Sequence, residues 1–135
     1  MSFLFKPSLS VLERSLDTSA LRQKVISNNI ANADTPFFKR SEVEFEDVLQ
    51  NAMSETKFVG LRTNSRHVAI GRGVPTDIMP EVIVDDKTLV KNNHNNVDID
   101  LEMAQMSKNA MRYNVLVERM SKEFKSLRTA IEGRG

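Results

Sequence analysis

The chain has 135 residues, with 19 basic and 18 acidic side chains, a formal net charge of +1, no cysteine and no tryptophan. This length suits one domain with a single core, so two independent catalytic lobes are not expected. The balanced charge gives no field that would concentrate nucleic acid or an anionic membrane, and the missing cysteines exclude a disulfide framework and a cysteine-rich zinc site.

The first predicted element is a helix that begins near residue 8 to 10. Ser10 and Glu13 fit the capping-box pattern, and Pro7 lies upstream, where it does not interrupt the helix. Apolar residues then recur at alternating steps of three and four, with Ser19 and Gln23 as polar interruptions on the same line. The apolar seam of this helix is Leu9, Leu12, Leu16, Ile26 and Ile30.

The helix is predicted to end near residue 31 or 32, because the residue before Pro36 is pushed out of the α region. Three asparagines lie near this end, and Asn28 and Asn32 share a face opposite to that of Ile26 and Ile30. Uncharged amides suit a surface buried against another chain, where their hydrogen bonds can be satisfied. The alternative is that the asparagines only fray the helix end and tolerate left-handed backbone there.

The centre of the chain carries weaker signals. Val43 to Ala52 has the apolar spacing of a short helix, and Glu81 to Val84 is a strand-like run. Periodicity is otherwise lost over residues 54–96, a stretch that we expect to be disordered or ordered by a partner. The predicted organisation is one structural domain with three parts: an N-terminal helix and motif (1–40), an irregular central insert (41–96) and a C-terminal helix (97–135).

The C-terminal helix is the most specific pattern in the sequence. Acidic residues in its first turn suit the helix dipole, Gly133 is a natural stop, and the length is about 50 Å at 1.5 Å per residue. Its predicted seam keeps the three-four alternation without a break: Ile99, Met103, Met106, Ala110, Tyr113, Val117, Met120, Phe124, Leu127 and Ile131.

These elements predict a mainly α fold in which the long N- and C-terminal helices pair as an antiparallel coiled coil. The N-terminal helix is shorter, and its stripe is interrupted, so it cannot cover the whole seam of its partner. Exposed apolar seams of this kind are usually joined by other chains. The sequence therefore indicates a protein that is completed by its neighbours.

The stretch from Ile30 to Lys39 resembles the motif shared by the axial proteins of the bacterial flagellum, which include rod, hook and hook-associated proteins. The positions that match the motif are Ala31, Asn32, Thr35, Phe38 and Lys39. The far segment, from Asn95 through Phe124 to Ile131, is similar to the C-terminus of the proximal-rod members. With its flanks, the candidate assembly motif is Asn28, Asn29, Ile30, Ala31, Asn32, Thr35, Pro36, Phe37, Phe38 and Lys39.

One position departs from the family pattern. Phe37 stands where the motif usually has glycine, and a phenylalanine does not take positive φ cheaply. The turn after Pro36 is therefore expected to differ from that of glycine-bearing members. Phe37 and Phe38 also supply two aromatic anchors for an interface, although one of them suits a core position.

The resemblance implies a structural subunit of the flagellar proximal rod, located in the basal body and polymerising through its terminal helices. It implies export in an unfolded state by the flagellar type III apparatus, without a cleaved signal peptide. Expected partners are other rod proteins, basal-body and export-gate components and further copies of the chain. Neither nucleic acid nor a small-molecule substrate is expected, and no stretch approaches the roughly 20 apolar residues of a membrane span.

Signals for chemistry are weak. His67 and His94 have no metal-ligand spacing, and Gly71 to Gly73 lacks the third glycine and the strand-to-helix setting of a nucleotide loop. Asp85 and Asp86 are adjacent loop acids of the kind that are usually solvated. We therefore predict no catalytic residue, metal site or cofactor.

A coiled-coil adaptor or secretion chaperone without a filament role is the alternative function. The methionines of the long seam suit adaptable partner binding. Stable dimers with protease-resistant termini would favour this alternative, whereas termini that become ordered only on polymerisation would favour the rod subunit.

Overall fold

The computed structural model describes residues 7–54, 79–86 and 94–133. The elements are α1 (Pro7–Ala31), β1 (Ser41–Glu44), α2 (Glu46–Ser54), β2 (Glu81–Val84) and α3 (Ile99–Glu132). The predicted mainly α fold with a short central helix and a short β segment is confirmed. Among the described helices, none has the combined length and apolarity that crossing a membrane requires.

Helices α1 and α3 pack against each other in antiparallel orientation. Asn29, near the end of α1, lies 3.1 Å from Glu102, near the start of α3. Asn109, further along α3, lies 3.1 Å from Gln23, which is earlier in α1. Because the contacts run backwards along α1 as they run forwards along α3, the two helices point in opposite directions. The predicted antiparallel pairing of the terminal helices is confirmed.

The ends of both long helices follow local rules. Pro7 is the first residue of α1, a position where its fixed φ suits a helix and its missing N–H is not needed. The carboxylate of Asp98 caps α3 by accepting hydrogen bonds from the backbone nitrogens of Asp100 and Leu101. Gly133 ends α3 in the left-handed conformation, with φ of 65°. The predicted bounds of these helices are thus confirmed to within a few residues. The predicted capping box is wrong, because Ser10 and Glu13 lie inside α1.

The two short strands form an antiparallel pair in which Ser41 lies opposite Val84 and Glu44 opposite Glu81. Strand β2 has the predicted bounds, but β1 was missed, because Val43 and Glu44 were assigned to the start of the short helix. That assignment is wrong, since polar and apolar residues alternate here with the period of a strand, and Val43 is buried. The helix begins only at Glu46, in a first turn rich in acid.

The core between these elements is unusually polar. Among the described residues, the buried apolar side chains are Leu12, Ile26, Ala33, Val43, Phe45 and Val97. The buried polar or charged ones are Thr18, Ser19, Asn29, Asn95, Asn96, Glu102 and Asn109. Hydrogen bonds between specific partners therefore carry much of the packing between α1, the strands and α3.

We expect Ile26→Ala to lower the free energy of unfolding by about 2 to 4 kcal/mol, because it leaves a cavity in the small apolar core. Ile26 is 4% exposed, whereas Ile131, at the free end of α3, is 78% exposed. Ile131→Ala is the matched control and should change stability by less than about 0.5 kcal/mol. Urea unfolding of the full chain measures both. Equal losses would show that the core lies elsewhere.

Candidate assembly site at the helix junction

The junction of α1, the strands and α3 is organised around the carboxylate of Glu102, which is fully buried. Its Oε1 accepts a hydrogen bond from Nε of Arg40 at 2.5 Å, and its Oε2 accepts one from Nδ2 of Asn29 at 3.1 Å. A buried charge is tolerated only when it is paired and hydrogen-bonded. Both oxygens meet that requirement here, with partners from α1 and from the residue before β1.

Asn29 connects the end of α1 to the first strand. Its Nδ2 donates to the backbone oxygen of Ser41 at 2.8 Å, and the backbone nitrogen of Ser41 donates to its Oδ1 at 3.1 Å. The side-chain amide thereby pairs with a strand residue as another peptide group would. An aspartate or a lysine at this position could not make both bonds.

Two further asparagines bind the turn and the sheet to the start of α3. Nδ2 of Asn95 donates to the backbone oxygens of Asn32 and Thr35, at 2.9 Å each. Oδ1 of Asn96 accepts from the backbone nitrogen of Arg40 at 2.6 Å, and its Nδ2 donates to the backbone oxygen of Asp85 at 2.7 Å. The segment that leads into α3 therefore fixes both the turn after α1 and the paired strands.

Arg40 is held as a cation at this junction. Burial lowers the pKa of its guanidinium, but hydrogen bonds and charge interactions with Glu102 and Glu42 outweigh burial and raise the pKa above its usual value. The Glu42 carboxylate lies 2.9 Å from a terminal nitrogen of Arg40. Arg40 therefore bridges a buried carboxylate and an exposed one.

Two residues in contact with each other, one in the turn after Pro36 and one in the segment before α3, lie in the left-handed region. Phe37 has φ of 62° and His94 has φ of 61°. Their rings stack with centroids 5.5 Å apart and planes 8° from parallel, and Phe37 is 73% exposed. Contrary to expectation, Phe37 adopts the sign of φ that glycine adopts most easily. Phe38, by contrast, is half-buried.

The candidate assembly motif divides between the interior and the surface. Asn29 is fully buried, whereas Asn28 is exposed and Asn32 is half-buried. Nδ2 of Asn32 donates to the backbone oxygen and to Oδ1 of Asn28, at 2.8 and 3.1 Å. Of the other motif residues, those exposed are Ala31, Thr35 and Pro36, and those half-buried are Ile30 and Lys39. A role of the outer residues in assembly stays a prediction.

The predicted seam residues also lie in different settings. In α1, Leu12 and Ile26 are buried, and those half-buried are Leu9, Leu16 and Ile30. In α3 the half-buried ones are Met106, Met120 and Leu127. The exposed ones are Ile99, Met103, Ala110, Tyr113, Val117, Phe124 and Ile131. The assembly role of these residues stays a prediction too.

One line of residues on α3, polar at its first two positions, faces α1. Glu102, Asn109 and Leu116 follow each other at heptad spacing, and each is less exposed than the seam residue that follows it in sequence. One residue corresponds to about 100° around a helix, so the exposed apolar face lies to one side of the intrachain contact.

Ser19 and Gln23 interrupt the apolar line of α1 because a polar partner lies opposite. Nδ2 of Asn109 donates to the backbone oxygen of Ser19 at 2.9 Å and to Oε1 of Gln23 at 3.1 Å. Asn109 and Arg40 are not predicted as site residues from the sequence, and Glu102 is predicted only to interact favourably with the helix dipole. The sequence signal that could have identified Glu102 and Asn109 as residues facing α1 is their heptad spacing.

A second ionic cluster ties the three helices together. Nitrogens of Arg22 lie 2.7 and 3.1 Å from the two carboxylate oxygens of Glu46, and Arg112 lies 3.0 Å from one of them. Arg22 also donates to the backbone oxygen of Val43 at 3.1 Å. The hydrogen bonds from Arg22 lower the pKa of Glu46 below its usual value of 4.5.

The described ranges hold no group of three His, Asp or Glu side chains placed to bind a metal ion. His94 is exposed, and its ring stacks on that of Phe37. Asp85 lies at the end of the sheet, where its backbone nitrogen donates to the backbone oxygen of Arg40 at 2.8 Å. His67 and Gly71 to Gly73 lie outside the described residues.

Comparison with known proteins defines the class to which this fold and junction belong. The family described as "Flagella basal body rod protein" matches residues 9–39, which include most of α1 and the turn with Phe37. Together with the relatives described next, this match makes the protein a structural component of the bacterial flagellar basal body rod, and the expected family is confirmed.

Relatives that match nearly the whole chain identify the particular family. The chain is 38% identical over 130 residues to the flagellar basal body rod protein FlgB of Bacillus subtilis, covering 96% of this chain and 97% of the relative. It is 36% identical to FlgB of Borreliella burgdorferi (95% and 98% covered) and 29% identical to FlgB of Escherichia coli (93% of each). The chain belongs to the FlgB family of flagellar basal body rod proteins.

We expect Glu102→Gln to lower the free energy of unfolding by about 3 kcal/mol, because it leaves the Arg40 cation without its buried counter-ion. Glu118→Gln removes the same charge from an exposed pair with Lys122 and should change stability by less than about 0.5 kcal/mol. Urea unfolding at neutral pH compares the two. A difference of less than about 1 kcal/mol would contradict the organising role of Glu102.

Protonation of the Glu46 carboxylate should also lower the free energy of unfolding in acid. Since its pKa is lowered in the folded state, Glu46 contributes stability above its usual value of 4.5, and this contribution is lost as the pH falls through the folded-state pKa. Glu46→Gln should therefore show a shallower loss of stability below about pH 5 than the unaltered chain. Glu44→Gln, at an exposed position of β1, serves as the control. Parallel pH profiles for all three chains would refute this assignment.

Proposed function

We propose that this rod protein works in the proximal part of the rod, where it polymerises through its terminal helices. Its neighbours would be other rod proteins, components of the export gate and further copies of the same chain. We also propose that it reaches the rod in an unfolded state through the flagellar type III apparatus, without a cleaved signal peptide.

The exposed apolar face of α3 is the observation that carries the polymerisation proposal. Met103, Val117 and Phe124 are between 40 and 56% exposed, although they lie on one continuous side of a 34-residue helix. Apolar side chains aligned in this way normally mark a surface that another protein covers. In a rod, neighbouring helices would bury them.

A second exposed surface at the end of α1 supports the same proposal. Asn28 is exposed and Asn32 is half-buried beside the turn of Phe37, and the motif places no charged side chain between them. Neutral amides beside an aromatic ring suit a contact that excludes water, because no charge has to be desolvated. We assign this amide face to contacts with a neighbouring subunit.

The composition of the core supports export in an unfolded state. Its buried apolar side chains are few within the described ranges, so the isolated chain gains little from the hydrophobic effect when it folds. The absence of cysteine also means that no disulfide can lock the chain before transit. A fold of this kind is opened readily and becomes more stable when neighbours cover its surface.

To test polymerisation, Val117→Asp and Phe124→Asp place a charge on the exposed apolar face. We expect each substitution to abolish swimming and incorporation into basal bodies, because a buried unpaired carboxylate is costly in an interface. Ser126→Asp introduces the same charge on the opposite, exposed side of the same helix and should leave swimming unchanged.

Secretion of the variants separates assembly from export. If both aspartate variants are secreted but fail to enter basal bodies, the apolar face acts in assembly. Normal swimming with Val117→Asp and Phe124→Asp would remove the support for this proposal.

A further inference from the structure

An open groove lies along the contact between α1 and α3, on the side where α3 carries Ala110 and Tyr113 of its exposed face. Its volume is about 690 Å³. Small side chains contribute much of its lining, including Ser19, Ala20 and Ala110. Small residues allow the backbone of another helix to approach closely, and Lys24 is the only charged residue among those that line the groove.

Asn109, in the wall of this groove, has an unused hydrogen-bond acceptor. The side chain is 3% exposed, and its Nδ2 is occupied by Ser19 and Gln23. Its Oδ1 has no hydrogen-bond partner in the described part of the chain. A buried polar atom without a partner costs about 1 to 3 kcal/mol, so the contact of α1 with α3 beside this groove leaves one hydrogen bond unmade.

The free end of α3 supplies a segment of matching shape. The pairs of Asn29 with Glu102 and of Gln23 with Asn109 set a register that places Pro7 opposite about residue 125. The last turns of α3 therefore extend past the described start of α1. Phe124, at the edge of this extension, and Ile131, within it, lie seven residues apart on one side, which is the anchor spacing of a helix that docks in a groove.

We propose that the groove of one copy receives the C-terminal end of α3, from about Phe124 to Ile131, of a second copy. The inference rests on the proposed polymerisation and names its contact. The groove and the C-terminal end of α3 lie on the same side of α3 but at different positions along its axis. Every copy therefore offers both surfaces. A contact between two different surfaces repeats from copy to copy and builds an open helical array, as a rod requires.

The same chain cannot fill its own groove with this segment. In the register of α1 and α3, Ala20 lies opposite about residue 112, and residue 128 is about 24 Å further along a rigid helix. A second copy is favoured as the occupant because the groove is nearly uncharged and the helix end presents two exposed apolar anchors. Among the described residues, each copy therefore leaves uncovered both surfaces that the contact needs.

Cysteine crosslinking tests this contact on a chain that contains no natural cysteine. The pair Ala20→Cys and Arg128→Cys puts one thiol in the groove and one between the two anchors. Because a disulfide requires Cα atoms within about 7 Å, this pair can close only between two chains. The control pair, Ala20→Cys and Ser126→Cys, moves the second thiol to the opposite side of α3.

On oxidation, we expect isolated basal bodies that contain the Ala20→Cys and Arg128→Cys chain to yield crosslinked dimers and a ladder of higher multiples. The amount of crosslinked protein should be at least tenfold greater than with the control pair. Adding Ala110→Trp to the Ala20→Cys and Arg128→Cys chain fills the groove and should reduce the ladder at least tenfold. If the paired variant fails to enter basal bodies, the same oxidation of the purified full chain at high concentration, with the same control, decides the question.

The outcomes separate this inference from the proposed function. A chain present in basal bodies without the ladder, an equal ladder in the control, or crosslinks only to a protein of another mass would overturn the inference and leave the rod role intact. Absence of the unaltered chain from basal bodies would instead overturn the proposed function.

Discussion

The buried carboxylate of Glu102 is the constraint on which the rest of the structure depends. It is removed from water completely, so it needs Arg40 and Asn29 as partners, and these come from either side of the turn that joins α1 to β1. Once this carboxylate is satisfied, the start of α3, the end of α1 and the first strand have fixed relative positions. The Asn95 and Asn96 amides then hold the intervening turn and sheet at the same place.

A polar interior of this kind has a consequence for the surface. Directional hydrogen bonds define the register of α1 and α3, as Asn109 does opposite Ser19 and Gln23, while much of the apolar surface of α3 remains outside. One side of α3 thus sets the specific pairing with α1 within the chain. Another side of the same helix carries the apolar surface that attracts other chains. This division suits a rod protein, which has to fold in one way and then associate repeatedly.

The elements that were predicted well are those governed by local rules. The three-four periodicity located both long helices, and Asp98 and Gly133 gave the ends of α3 because capping needs only nearby atoms. Strand β1 is not predicted because its alternating pattern is only four residues long and its last two residues, Val43 and Glu44, fit the start of the predicted short helix. Phe37 adopts a left-handed conformation that its own side chain disfavours, in a turn held by Asn95 from a distant part of the chain.

The sequence by itself determined which residues share a side of each long helix, where the two long helices begin and end, and the motif that marks the rod family. Periodicity predicts which residues share a side because the geometry of one helix fixes the angles between its side chains. Only the tertiary structure decided that the polar line of Glu102 and Asn109 turns inward while Val117 and Phe124 stay exposed. The reason is that the burial of a polar residue depends on a partner from elsewhere in the chain, which here is Arg40, Asn29 or Gln23.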